Sequence, residues 1–364
     1  MGRRTVTMSD VAREAGVSVM TVSNVLNDRS NVGADTRLHV MEVVGRLGYE
    51  INLTARRLRS GRTGTVGLIV PRFDLHYYGE LASLISDALA ADRMHLVVEQ
   101  SGASRERELS ALSLARLQQY DGVLLGAVGL DMADLDRIHP DLPIVLLGEQ
   151  DVPDRYHRVQ MGNVEGARLA TEHLITRGAR RIAMLGGKLT APRPEMATYR
   201  ATGWSVALAD AGLHPRPDLV IPLHDYSIAE ARATITQVLA AGLDIDGIFA
   251  VTDEVAIGAL AGFHDAGVRV PDDVQLVGFD NLDISQHLGP GLTTIDPDRP
   301  AMVAEALRLL RRQLADKNAA PEHVVSTVSL VIRGSTRKQA HVARRPPAAP
   351  QSAATGGAAR DRGR

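Results

Sequence analysis

The chain has 364 residues, 45% apolar and 23% charged, which gives room for two or three domains with sizeable cores and excludes disorder over most of its length. Aromatic residues make up only 3%, so the cores must be aliphatic; cysteine is absent, which excludes disulfides, thiolate metal sites and cysteine nucleophiles and fits a reducing compartment. The net charge of −2 hides a division: residues 1–62 carry ten arginines against six acidic residues, residues 340–364 five arginines against one, and the long middle is strongly acidic. A basic head on an acidic body is the pattern of a module that meets a polyanion while the body stays in solution. Arginines clustered on a solvated face would look the same, so the motifs must decide.

In chain order, Thr7-Met8-Ser9-Asp10 reads as a helix start, with the Thr7 hydroxyl placed to accept an amide hydrogen. Val11, Ala12 and Ala15 follow at helical spacing, and Gly16 supplies the left-handed residue that ends the helix. Ser18 caps a second helix, Val19 to Leu26, with Val22, Val25 and Leu26 on its inner face. A third, Ala34 to Leu47, buries Val40, Val43, Val44 and Leu47. Helix, short turn with Gly, helix and buttress together predict a helix-turn-helix. The next stretch, Asn52 to Arg62, is short, basic and too exposed to stand as a lone helix.

From Thr65 the pattern changes to aliphatic β runs, at Val66–Val70, Leu96–Glu99, Gly122–Leu125, Ile144–Leu147, Ile182–Leu185, Ile248–Val251 and Val274–Phe279. Amphipathic helices are expected between them, for example Glu80–Ala91, Glu165–Arg177 and Glu254–Ala266. Such alternation predicts parallel sheets covered on both faces, and roughly 275 residues of it exceed one sheet, so two lobes are expected. After Lys338 the chain turns Ala/Pro/Gly/Arg-rich and loses periodicity, and a disordered basic tail is expected over 340–364. The first ten residues lack the apolar run of a secretory signal, and no stretch approaches the roughly 18 apolar residues of a membrane span. A cytoplasmic chain with no membrane partner is expected.

Catalytic signals are missing. Gly187-Lys188 lacks both the upstream Gly and the following Ser or Thr of a phosphate loop; no G-x-G-x-x-G follows the first strand, and there is no G-x-S-x-G elbow. The twelve histidines fall in no H-x-H or H-E-x-x-H spacing, and Asp272-Asp273 sits beside Pro271, where acidic pairs more often cap turns. Neither catalytic residues, a metal nor a cofactor is expected, and the chain is not expected to be an enzyme.

Ser9-Asp10-Val11-Ala12-Arg13-Glu14-Ala15-Gly16-Val17-Ser18-Val19-Met20-Thr21-Val22-Ser23-Asn24-Val25-Leu26-Asn27 resembles the DNA-binding headpiece of the lactose-repressor (LacI) family. The likeness continues through Thr36-Arg37, Leu47-Gly48-Tyr49 and Gly61-Arg62-Thr63. It resumes in the body at Val66-Gly67-Leu68-Ile69-Val70-Pro71, Arg200-Ala201-Thr202-Gly203-Trp204, Thr252-Asp253 and Val277-Gly278-Phe279-Asp280, and so spans residues 5–337. The resemblance implies a small all-α helix-turn-helix headpiece (1–51), a hinge helix (52–63) and an α/β two-lobed, periplasmic-binding-protein-like body (64–339) of two doubly wound parallel sheets. Lobe 1 is expected over 64–178 and 292–324, lobe 2 over 179–291 and 325–339.

By the family's pattern the second helix lies in the major groove, where Val19, Met20 and Asn24 read bases. Asn24 departs from the family's usual Arg: Arg favours guanine, whereas Asn suits the N6/N7 edge of adenine, and Val19 and Met20 offer apolar contact to a thymine methyl. Packing inside the headpiece is the other reading of Val19 and Met20. Ser18, Thr21, Asn27 and Thr36 are expected to hold phosphates or cap helices. The hinge implies minor-groove contact by Ala55, Arg56, Arg57, Leu58 and Arg59, with Leu58 as a wedge between base pairs, unless Leu58 packs on the body.

Family positions around an effector cleft correspond to Tyr77, Tyr78, Arg200, Thr252 and Asp280. Arg200 can fork onto oxygens and Asp280 can accept from two hydroxyls. The alternatives are helix packing for the tyrosines and an interlobe salt bridge for Arg200. Leu75-His76, Gly162 and Thr252 depart from the family's usual residues and leave the effector's identity open. The implied partners are a pseudo-palindromic double-stranded DNA operator, a small-molecule effector of carbohydrate type and a second copy of the chain. The lactose repressor's C-terminal leucine heptad has no counterpart, since 340–364 contain no leucine, so a homodimer is expected. A sequence-specific regulator, a repressor under allosteric control, is the function implied; a solute-binding protein or a nucleoid architectural protein is the alternative.

Overall fold

The computed structural model describes residues 6–26, 29, 31–49, 62–138, 142–149, 153, 155–193 and 195–338. Its first three helices are α1 (Met8–Glu14), α2 (Val19–Leu26) and α3 (Ala34–Leu47). The expected Thr7 cap is present as a capping box: the Thr7 side chain takes the Asp10 amide, and Asp10 returns a bond to the Thr7 backbone. Those bonds from Thr7, with a smaller contribution from Arg13, hold the Asp10 carboxyl down at about 2. Gly16 adopts φ +63°, a conformation that costs it little because it has no Cβ. The three helices share one small core of Val11, Ala12, Ala15, Val22, Val25, Val40, Val43 and Tyr49.

Beyond Arg62, strands and helices alternate as β1 (Thr65–Val70), α4 (His76–Ala90), β2 (His95–Gln100), α5 (Arg105–Ala111), α6 (Leu114–Leu117), β3 (Gly122–Leu125), α7 (Met132–Asp136), β4 (Ile144–Leu147), β5 (His157–Gln160) and α8 (Asn163–Thr176). Then follow β6 (Ile182–Leu185), α9 (Met196–Asp210), β7 (Val220–Ile221), α10 (Ile228–Ala240), β8 (Gly247–Ala250), α11 (Asp253–Asp265), β9 (Gln275–Phe279) and α12 (Asp283–His287). The last elements are β10 (Thr293–Asp296), α13 (Arg299–Ala315), β11 (His323–Val325) and β12 (Ser329–Val331).

Two six-stranded sheets result, ordered β11-β5-β4-β3-β1-β2 and β12-β10-β9-β8-β6-β7. All five pairings of the first sheet are parallel. Alternation along β1 sends Val66, Leu68 and Val70 to one core, with Leu81, Ile85, Leu89, Val303 and Leu307 of the covering helices. Ile69 faces the opposite core, with Leu112, Leu117, Leu130 and Leu135. Burial on both faces is why these strands read as unbroken aliphatic runs. Among the described residues no helix is long and apolar enough to cross a membrane, and no group of three His, Cys, Asp or Glu could hold a metal ion.

The described chain divides into two compact units. One gathers residues up to Gly166 with Lys188–Arg200 and Asp296–Ser329; the other takes Ala167–Gly187, Ala201–Ile295 and the residues from Leu330 onward. These limits differ from the expected lobes: Thr293, Thr294 and Ile295 pair in parallel with β9, which draws 292–295 into the second unit. Five strands were not expected: β5, β10, β11 and β12 are three or four residues long and carry polar residues, and β7 is only two residues, Val220 and Ile221. In β10 the buried Thr293 and Thr294 are satisfied by hydrogen bonds that a hydropathy pattern does not show. The helix expected from Glu80 begins at His76, so Tyr77 and Tyr78 lie in its first turn and not in a loop.

Candidate functional site

Just ahead of α2, the Ser18 hydroxyl accepts from the Thr21 amide at 3.0 Å and lies 2.9 Å from Thr21 Oγ1. At about 100° per residue, Val22, Val25 and Leu26 fall on one side of this helix and Met20, Ser23 and Asn24 on the other, with Val19 at the boundary between them. Val22 and Val25 are buried, while Val19 and Met20 are 41% and 69% exposed. Packing therefore does not account for Val19 and Met20. The outward face offers a Val–Met apolar surface with the Asn24 carboxamide one turn after Met20, groups that suit a thymine methyl and an adenine edge.

Arg37, whose role no local pattern in the sequence marks, closes the end of this helix. Its guanidinium donates to the Val25 carbonyl at 3.3 Å and the Arg29 carbonyl at 2.6 Å. The C-terminal carbonyls of a helix have no partner within it, so a forked donor from a neighbouring helix supplies one. Thr36 and Thr21 are half-buried and Ser18 is exposed. Asn27, Ala55, Arg56, Arg57, Leu58 and Arg59 lie outside the described residues.

In the first body unit, β1 pairs with β2 on one side and β3 on the other, a reversal of the strand order of the kind at whose carboxyl ends open α/β sheets bind ligands. Tyr77 and Tyr78 follow β1 there, half-buried against the core, with ring centroids 5.1 Å apart at 81°. The packing reading thus describes a real contact for both rings. Arg200 is almost fully buried; its Nε donates to Asn163 Oδ1 at 2.7 Å and Nη2 reaches Met161 Sδ at 3.4 Å. Asn163 Nδ2 in turn donates to Glu149 Oε1 at 2.7 Å. Glu149 and Asn163 thereby orient Arg200. Nothing in their spacing marks them in the sequence, since Glu149 lies after β4 and Asn163 begins α8.

The second unit repeats the reversal, with β6 between β7 and β8. Thr252 follows β8 and caps α11, its Oγ1 accepting from the Val255 amide at 3.1 Å. Asp280 follows β9, buried, with φ +118°, and Asn281 has φ +51°. Between them lies Asp253, fully buried. Its carboxylate accepts from the Leu282 amide at 2.9 Å and Ser285 Oγ at 2.6 Å on one oxygen, and from Thr294 Oγ1 at 2.5 Å on the other. Desolvation outweighs these bonds and pushes the carboxyl up to about 6. Gly278 is required opposite, because a Cβ there would overlap Asp253 Oδ1. Arg333 ties the same loop from its other side, donating to Asn281 Oδ1 and the Leu292 carbonyl, each at 2.7 Å.

Residues 7–52 match the bacterial regulatory proteins of the lacI family, and residues 171–336 match a periplasmic binding protein-like domain. The catabolite control protein A of Priestia megaterium is 32% identical over 310 residues, covering 85% of this chain and 92% of that protein. Of solved structures, the lac repressor dimer bound to operator and the anti-inducer ONPF is 28% identical with a TM-score of 0.75, over 92% of this chain and 99% of that one. The complex of the transcriptional regulator CelR with cellobiose is 29% identical with a TM-score of 0.66, over 91% of this chain and 99% of that one. With a helix-turn-helix near its amino end and two mostly parallel sheets later in the chain, the protein belongs to the lacI family of bacterial regulatory proteins.

Proposed function

We propose that the chain is a homodimeric, sequence-specific transcriptional repressor whose hold on an operator is set by a small carbohydrate bound in the body, and that it works without catalysis, in the cytoplasm. The observation that carries this reading is the outward face of α2, where Val19 and Met20 are exposed although the inner face is filled. Val19, Met20 and Asn24 read base edges; Ser18, Thr21, Asn27 and Thr36 set register on phosphates. Over 52–63, Arg56, Arg57 and Arg59 neutralise phosphates while Ala55 and Leu58 enter the minor groove.

In the body, Tyr77, Tyr78, Arg200, Thr252 and Asp280 are the effector contacts. A forked donor, a carboxylate and aromatic faces are the groups that hold a polyhydroxylated ring, and the cellobiose complex of a relative supports that ligand class. Ligand occupancy and operator occupancy are coupled reciprocally, by about 1–3 kcal/mol.

In-vitro selection of duplex DNA with the purified full chain tests the reading. A two-fold symmetric enriched motif is expected, with adenine at the position that Asn24→Arg converts to guanine. Retention of all duplexes alike refutes it.

A further inference from the structure

We infer that Asp253 is a positioning residue whose buried carboxylate sets the 280–285 loop, and with it Asp280, at the carboxyl end of β9. Three donors from two segments meet at this one group: the Leu282 amide and the Ser285 hydroxyl from the loop and the start of α12, and Thr294 from the strand β10. The loop needs such a hold. Asp280 and Asn281 both have positive φ, a region where side-chain-bearing residues are strained and persist only when their surroundings fix them.

The position of the carboxylate is itself tightly set. Asp253 lies in the first turn of α11, where the helix N-terminus favours a negative group. Thr252, the adjacent residue, caps the same helix, so the anchor for the Asp280 loop and the side chain of Thr252 share one rigid start. Gly278 leaves the carboxylate its space, and Arg333 holds the Asn281 side chain from outside. The consequence for ligand recognition rests on Thr252 and Asp280 being effector contacts; the positioning of the loop does not.

Hydrogen exchange of the ligand-free full chain, followed by mass spectrometry at neutral pH, is the test. Asp253→Ala removes the acceptor of all three donors, and exchange of the 280–285 amides is expected to rise roughly tenfold or more, while peptides from β6 and β8 keep their wild-type rates. Asp253→Asn, which can keep its oxygen toward Leu282 and Ser285, is expected to restore much of the protection. Ser285→Ala and Thr294→Val, each removing one donor, are expected to give smaller rises confined to the same segment. Unchanged exchange over 280–285 in all four variants overturns the inference. So does a uniform rise across the second sheet, the signature of a residue that supports the whole unit and not this loop. Because no ligand is present, the outcome is independent of whether a carbohydrate is the effector.

Discussion

Replacing Arg37 by Met keeps the apolar stem but removes the guanidinium that closes α2. Two hydrogen bonds from a charged donor are lost, to the carbonyls of Val25 and Arg29. Bonds to charged groups are worth about 1.5–3 kcal/mol each when buried, and these are only partly shielded, so about 1.5 kcal/mol per headpiece is a reasonable total. Among the described residues the headpiece core holds eight buried apolar side chains, a small core with little reserve to absorb such a loss. The helix α2, proposed above to read bases, then frays from its C-terminal end, and ordering it on DNA costs that amount again. Since 1.4 kcal/mol is a factor of ten, operator affinity should fall about tenfold per headpiece, or about a hundredfold for a symmetric two-headpiece complex. Fluorescence anisotropy of a labelled operator at several salt concentrations measures this. The control is Arg37→Lys, which keeps the charge and loses the fork. If Arg37 acts as a clamp, Lys loses nearly as much as Met and the salt slope is unchanged. Wild-type affinity for Arg37→Lys, with a shallower salt slope only for Met, would mean a phosphate contact and refute the clamp.

Leu58→Ala should weaken operator binding far more than binding to random duplex, because only a kinked complex uses a wedge; an equal loss in both assays speaks against it. Gly278→Ala should lower the melting temperature by pressing a methyl onto the Asp253 carboxylate, and an unchanged melting curve would show that the close approach is not retained in solution. Two buried groups of the second unit act on acid stability in opposite senses. Burial lowers His173 from 6.5 to about 4, so stability present above pH 6.5 is lost as pH falls toward 4. Asp253, raised from 3.8 to about 6, contributes stability below pH 3.8 that is lost as pH rises toward 6. Each is worth about 3 kcal/mol across its window, and between pH 4 and 6 the two nearly cancel. His173→Gln should therefore grow more stable, relative to the wild type, as pH drops from 6 to 4, and Asp253→Asn less stable; denaturant unfolding at the two pH values gives both signs, and parallel shifts in the two variants would contradict the assignment.

The sequence by itself was enough for the elements whose signal is local. The Thr7 cap, the glycine stop at Gly16 and the inner face Val22–Val25 are written in residues three or four apart, because a helix closes its own hydrogen bonds within that distance. The central strands were legible for a related reason: burial on both faces demands an unbroken aliphatic run, whichever neighbour each strand finds. Short strands with polar residues carried no such mark. Buried threonines in β10 look like loop residues until their partners, an Arg333 carbonyl and the Asp253 carboxylate, arrive from 40 and 41 residues away. Tertiary structure alone decided which side chains orient the candidate contacts. Glu149 and Asn163 meet Arg200 across three elements, Arg37 reaches back to the end of α2, and Asp253 gathers donors from two later segments. Each is a polar group whose partner is distant in the chain, and a hydrogen bond's reach of about 3 Å is a condition on space that no local pattern of residues encodes.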